Sequence, residues 1–515
     1  MTRCRPVPQQ TDTSRNIRTI VRWRYAAAAL LAVASLLVAT AVPLRADEWI
    51  EIKSANVTVN SSAGAGTGRN LAWQIEQVRA VVKTLWPWAR VDLDRPFTVL
   101  AVDDEKGMRA LAPVYWETRG AVKPLSVWES GPDQHMLAIR ADYQGPSKNN
   151  LNPYISAYFA YLNLVLDQSV DVPMPEWFSR GLAGVLSNTI VQESQVLVGP
   201  AIPWHIEVLR EGTRLHLVDL VKVNRESLDN FGNQKLNRFY AESWAFVHFL
   251  MFDKQGSRSA QLNQYFKLVA GGAPPGPALR ETLGNVEDLE AEFATYVTRR
   301  VFSHVQLKVN LSVKRDEFAE RTLPPSEVAS LRARFHVAMK RPIEARAAIA
   351  EARKADPAAP ESYVAEGRLL ETEHKPDEAR AAFAQAVAAG SKSEYAYFRL
   401  ANLRWTPGVD RDALQDIEKL LRQSIMLNSR HAEAYAMLAE LRSELGNHES
   451  LGLAIRATQL EPARSNHQLV VARILARRKE YDEAAKAVGV ALSLATTPEE
   501  IRAAEELKER IEKAR

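Results

Sequence analysis

Hydrolytic and metal chemistry is built from histidine, cysteine, serine and carboxylate side chains at fixed short spacings, and this chain offers few of them. Ten histidines occur in 515 residues. No two stand four apart, the spacing that places two imidazoles on one helix face as ligands, and no His-x-His occurs. His205 and His216 have Glu207 and Glu211 nearby, but the spacing is too loose for ligands on one element, so solvated surface is the simpler reading. His248 shares a helix face with Trp244 and Met251 and reads as core, and His135 opens a strand and reads as structural. Ser156 and Ser179 lie inside helical patterns with no His close in sequence and no G-x-S-x-G turn, which argues against a serine nucleophile. The one cysteine, Cys4, precedes an apolar run, so the rest of the chain has no thiolate and no disulfide.

One stretch nevertheless has the frame of an active site. Residues 152–187 read NPYISAYFAYLNLVLDQSVDVPMPEWFSRGLAGVLS, two helical patterns joined by a proline-containing turn. Pro153, Tyr154, Tyr158 and Tyr161 in the first, and Pro175-Glu176-Trp177-Phe178-Ser179-Arg180-Gly181-Leu182-Ala183-Gly184 in the second, resemble the gluzincin-type peptidase MA-like domains of bacterial exported proteins. Those domains read P-Y-x-V-x-Y-H-E-Y-x-H and then P-x-W-L-N-E-G-L-A-E. ALAPVYWETRG at 110–120 and FYAESWAFVHFL at 239–250 extend the resemblance, which covers roughly 47–304. In that register Phe159 and Asn163 stand where the two zinc-binding His would be, Ala160 replaces the general base, Arg180 replaces the third ligand and Gly184 the following Glu. The resemblance therefore implies a pseudopeptidase, with no catalytic residue, no cofactor and no metal. Phe159 has no lone pair, Asn163 is a poor zinc ligand, and a cation at Arg180 repels a metal. A guanidinium there either binds an anionic group or makes a structural ion pair. The alternative reading is a zinc-dependent metallopeptidase with displaced ligands.

The elements around this frame read as α+β. Glu48–Val59 alternates as a strand, 61–68 is a glycine-rich turn, and Asn70–Trp86 is an amphipathic helix. The glycine-rich turn carries no G-K-[ST] and is a poor phosphate cradle. Pro96–Val102 is a buried strand, Lys106–Leu111 a short helix, and Ser126–Trp128 and His135–Arg140 are strands about the turn Gly131-Pro132-Asp133. Upstream, Arg15, Arg18, Arg22 and Arg24 precede an apolar run from Tyr25 to Val42. That is the layout of a secretory signal peptide, cleaved after Ala41 or Ala46, or of an uncleaved membrane anchor. It predicts a periplasmic or secreted protein, or one anchored in the inner membrane. Residues 1–46 hold seven Arg and one acid, so the net charge of +4 becomes −2 beyond them. A near-neutral body has no electrostatic footprint for nucleic acid.

Beyond Pro324-Pro325 a period near 34 residues emerges. Small residues recur at Ala333, Gly367, Ala401, Ala439 and Ala472. Aromatics recur at Tyr363, Tyr397 and Tyr435, with Gln468 in the last unit. Second helices begin at Ala345, Ala379, Ile417, Leu451 and Ala484, followed four residues on by Ile349, Phe383, Leu421, Ile455 and Val488. This resembles a tetratricopeptide array, which implies stacked helix pairs sharing one core and an inner surface that holds a protein or peptide. Arg332, Arg334, Arg399 and Arg404 are candidates for lining that surface. The expected organisation is a leader (1–46), a degenerate peptidase MA-like α+β domain (47–304), a linker (305–325), an all-α tetratricopeptide solenoid (326–498) and a polar capping helix (499–515). The expected function is a non-catalytic scaffold or adaptor that binds protein partners and touches a membrane only through its N-terminal segment.

Overall fold

The run Phe97–Val102 (FTVLAV) has no polar face, so it can be satisfied only as a strand covered on both sides. It is the third strand, β3, of a sheet formed with β1 (Ile50–Lys53), β2 (Thr58–Ser61), β4 (Ser126–Ser130), β5 (His135–Arg140) and β9 (Ala319–Thr322). Among the described residues the order is β4-β5-β3-β2-β1-β9, with β2-β3 and β3-β5 parallel and the other pairs antiparallel. A computed structural model describes residues 48–142, 151–170, 174–192, 195–308, 313–406 and 408–515. The leader expected at 1–46 lies outside the described residues. Among the described residues no helix is long and apolar enough to cross a membrane.

The stretch Glu48–Val59 is two strands of a hairpin rather than one. The turn between them is fixed by Glu76, whose buried carboxylate accepts from Ser54 Oγ at 2.6 Å and from the Asn56 backbone N–H at 3.0 Å. The glycine-rich segment is likewise not a free turn. It opens helix α1 (Ala65–Leu85), with Gly64 at φ +86° as its N-cap and Gly68 packed on Ile52 and Ser61. Helix α2 (Glu105–Leu111) is capped by Asp104, which accepts from the Gly107 N–H.

Alternation along the strands sends two sets of side chains to opposite faces. Val59, Val99, Ala101, Leu137 and Ile139 join one core with Leu71, Ile75 and Val78 of α1 and with Tyr158, Tyr161 and Val165 of α3 (Ile155–Ser169). That core continues through α4 (Glu176–Ser187), α5 (Pro203–Arg210), α6 (Asn233–Phe252), α7 (Ser259–Ala270), α8 (Pro275–Leu283) and α9 (Val286–Val297). A small sheet, β6 (Ile190–Val191), β7 (Val196–Val198) and β8 (Val305–Leu307), edges it. Helices α4 and α6 touch at backbone distance. A Cβ on Gly181 would stand 2.4 Å from the Ser243 carbonyl oxygen, so only glycine fits.

The second face of the sheet is closed by the repeats. Leu100, Val102, Met136 and Ala138 pack with Met108 and Leu111 of α2, and with Leu331 and Phe335 of α10 (Pro325–Ala338). Helix α10 is the first helix of the solenoid and a wall of the sheet domain at once. The segment expected as a linker is also part of the sheets: β8 pairs with β7, and β9 pairs with β1 through Ile50–Thr322 to Lys53–Ala319. Trp49–Arg515 accordingly form one compact unit.

After α10 the chain continues as α11 (Pro342–Ala355), α12 (Pro360–Thr372), α13 (Pro376–Ala388), α14 (Glu394–Arg404), α15 (Arg411–Leu427), α16 (Ala432–Glu444), α17 (Ser450–Leu460), α18 (Ser465–Arg477), α19 (Tyr481–Leu494) and α20 (Pro498–Ala514). Prolines at the start of α10, α11, α12, α13 and α20 cost no hydrogen bond and set the entry φ. Consecutive helices pair into a tetratricopeptide-like solenoid. The recurrent small residues Ala333, Gly367, Ala401, Ala439 and Ala472 are buried. At Gly367 a Cβ would meet the Phe383 ring at 2.6 Å. One register expectation fails. In α17 the buried residues are Ser450, Ala454 and Ala457, whereas Ile455 is 43% exposed. The helix is rotated by one residue from the period, because its small alanines allow closer contact than Leu451 and Ile455 would.

Glu242 on α6 is fully buried, and its guanidinium neighbours Arg238 and Arg214 stand 3.8 and 3.9 Å away, too far for hydrogen bonds. Burial holds its carboxyl up at about 7, from an ordinary 4.5. Between those two values the unfolded chain ionises Glu242 and the folded chain resists, so its contribution to stability is full below 4.5 and lost as pH rises through 7. Glu242→Gln is expected to raise stability at pH 8 by up to about 3 kcal/mol and to change it little at pH 4.5, as read by urea unfolding. Phe335→Ala is expected to cost about 3–5 kcal/mol. Because Phe335 belongs to both the sheet core and the solenoid, tryptophan fluorescence and helical circular dichroism should shift together in one transition.

Candidate functional site

Helices α3 and α4 carry the positions that the frame assigned to chemistry. The 3.6-residue period sets Phe159 and Asn163 on one face of α3, with Ala160 buried beside them. The Phe159 ring meets Tyr240 of α6 edge-on, 5.9 Å between centroids. Asn163 donates from Nδ2 to the Phe159 carbonyl at 2.7 Å, and its Oδ1 accepts from Arg180 Nη1. Arg180, 6% exposed, also donates from Nε to Glu176 Oε2 at 3.0 Å, one turn back on α4. The two helices therefore bring Asn163 and Arg180 into direct contact, with Phe159 one turn away. Glu176 is the carboxylate that neutralises the buried guanidinium, and it lies within the quoted motif at i−4 from Arg180. Asp167 is nearby, and partial desolvation of this solvent-touching carboxyl raises it above the usual range, partly offset by the Arg180 charge.

The other candidates are held in ordinary structural roles. His248 is buried, with Nδ1 2.6 Å from Tyr296 Oη and Nε2 2.8 Å from the Gly199 carbonyl. Burial lowers its pKa to about 4, so it is neutral near pH 7. His135 bridges Ser130 Oγ at 2.8 Å and Asp94 at 3.0 Å, and Asp94 is held down at about 2 by the hydrogen bond from His135 and the Arg95 charge despite its burial. His216 is largely exposed, and His205 packs against Trp244. Ser179 Oγ points back to the Pro175 carbonyl. Among the described residues no group of three or more His, Cys, Asp and Glu is placed to share a metal ion.

A second polar centre lies where the sheet domain meets the repeats. The turn between β4 and β5 projects against the face lined by the first helices of the array. Asp133 at its tip, 8% exposed, pairs with Arg334 of α10 at 3.6 Å and Arg368 of α12 at 3.4 Å. Arg368 also donates to Glu371 at 3.0 Å and Tyr395 Oη at 3.1 Å, and Arg399 closes the chain onto Glu371. The turn is stiffened from its own side by Arg95, which donates to the Gly131 carbonyl at 2.7 Å. Further along, Arg430 before α16 donates to the Asp92 carbonyl at 2.6 Å and pairs with its carboxylate at 3.4 Å. Arg334 and Arg399 are thus engaged internally and Arg332 pairs with Glu351, while Arg404 is exposed. The sequence marked 131–133 as a turn but gave no sign that its aspartate is received by the repeats.

No family model matches the chain, and no curated protein matches it. Solved structures that are similar include YrrB, described as a TPR protein with an unusual peptide-binding site, at 17% identity over 35% of this chain and 90% of that one, with a TM-score of 0.30. PilF of Pseudomonas aeruginosa is 13% identical over 37% of this chain and 84% of that one, TM-score 0.30. Yeast Tom70 is 14% identical over 60% of this chain and 69% of that one, TM-score 0.29.

Proposed function

We propose that this protein is an exported, non-catalytic scaffold, a peptidase MA-like domain that has lost its zinc site and carries a tetratricopeptide array for binding a protein or peptide partner. The observation that carries the reading is the Arg180 guanidinium buried between Glu176 and Asn163. In the frame set by the sequence motifs, Asn163 and Arg180 hold two metal-ligand positions. Their direct contact is the adjacency that two ligands of one ion require. A cation bound there by a carboxylate and an amide supplies the positive charge a metal would supply, with no open position for a substrate oxygen or a water. The ion pair also uses the guanidinium's capacity for an outside anion, which favours the structural role of Arg180 over anion capture.

The scaffold role draws on the array. Stacked helix pairs build an extended surface on rigid elements, suited to holding a chain rather than transforming it. The N-terminal arginines and apolar run, with cysteine confined to the first residues, are consistent with export to a periplasm.

Metal analysis of the purified protein is expected to find no stoichiometric zinc after dialysis. Zinc retained at one per chain would establish a metal site and displace the scaffold reading. The peptidase frame has its own test. The quadruple variant Phe159→His, Ala160→Glu, Asn163→His and Arg180→Glu is expected to gain one zinc per chain, measured by calorimetry, if α3 and α4 keep the ancestral geometry. A folded variant that takes up no zinc would remove the peptidase kinship and leave the array as the only guide to function. Affinity purification of the full chain from its native envelope is expected to retain the same partner reproducibly.

A further inference from the structure

The sheet domain already covers part of the face that a solenoid offers to partners, and this restricts where a ligand can go. Asp133 with Arg334, Arg368 and Tyr395 closes the inner face of the first three repeats. This contact cannot swing away as a lid, because Leu331 and Phe335 in the same repeat are part of the sheet's second core. The largest cleft among those described lies further along. It is about 600 Å³, open to solvent, between the loop Pro87–Asp94 with the end of α1 on one side and Arg430 and 456–464 of the fourth and fifth repeats on the other.

The charges in this cleft do not cancel. Three of its carboxylates are ion-paired with arginine: Asp92 with Arg79 and Arg430, Asp94 with Arg95, and Glu461 with Arg464. Asp167 is the one carboxylate there without an ion pair among the described residues. Against it stand Lys83 and Arg456, both exposed and without a carboxylate partner among the described residues, while Arg464, although paired with Glu461, keeps more than half of its side chain in solvent. Pro87, Val91 and Leu460 are among the apolar residues that line the cleft. Cations beside apolar lining residues in a solvent-open cleft fit an extended segment that alternates carboxylate and apolar side chains.

We infer that the partner of this protein presents an acidic, apolar-interrupted extended peptide, and that it docks in the cleft between the Pro87–Asp94 loop and the last two repeats, against Lys83, Arg456 and Arg464. This rests on the scaffold reading above and assigns its site and ligand chemistry. The same logic already operates inside the molecule, where the repeats receive an aspartate of the sheet domain on paired arginines.

The test uses a random decapeptide library displayed on phage and panned on the immobilised full chain. Selected peptides are expected to be rich in Asp and Glu with interspersed apolar residues. Their affinity is expected to fall at least tenfold in the triple variant K83E/R456E/R464E, with the loss shrinking as salt is raised. All three positions are exposed, so the variant should keep the parent circular dichroism spectrum. Selected peptides that are neutral or basic, or acidic peptides that bind the folded triple variant as tightly as the parent, would overturn the cleft assignment while leaving peptide binding by the array intact. No selection above background, with the native partner still retained in the affinity purification, would overturn the peptide ligand and leave the scaffold reading standing.

Discussion

A sheet that is apolar on both faces must be covered twice, and the rest of this molecule follows from that requirement. Every residue of Phe97–Val102 is buried. Helices of the sheet domain cover one side, and α2 covers only part of the other. The first helix of the repeat array completes the second side through Leu331 and Phe335. Burying two such side chains is worth roughly 3–6 kcal/mol, a large share of the stability of an ordinary domain. The solenoid is therefore built onto the sheet.

The junction also explains where polar chemistry survives. Charged groups buried at a contact persist only when paired and hydrogen-bonded. Arg180, hydrogen-bonded to Glu176 and Asn163, follows that rule, and Asp133 is ion-paired with Arg334 and Arg368. Glu242 departs from it, lying close to two arginines without hydrogen-bonding either, and its carboxyl is driven toward the neutral form.

Local signals made much of this architecture readable in the sequence. The two-residue period of the strands, the proline-started helices and the recurrent Ala333, Gly367 and Ala401 are features that packing imposes on nearby residues. What escaped reading depends on distant ones. The hairpin at Ser54–Asn56 exists because Glu76 satisfies its turn. The strand Ala319–Thr322 exists because β1 has an open edge. The segment AERT has no apolar alternation of its own, and no local pattern could mark it. In α17 the period suggested Leu451 and Ile455, but alanine-to-alanine contact won by one residue. Of the positions singled out on α3 and α4, Asn163 and Arg180 are brought into contact. The partner of Arg180 was also within reach, since Glu176 stands four residues before it. The reception of Asp133 by the repeats was not, because it depends on the orientation of one domain against another.

The covered first repeat gives the array unequal ends. A free solenoid needs a polar cap at each terminus, because the outermost pair otherwise leaves an apolar flank in water. Here the sheet takes that role at the beginning, and the charged helix α20, with its Thr497–Glu500 capping box, takes it at the end. Duplication or deletion of a repeat near α10 would tear the junction with the sheet. The same event next to α20 would spare that core. A change in repeat number is thus better accommodated beside α20 than beside α10, where the sheet depends on the first helix.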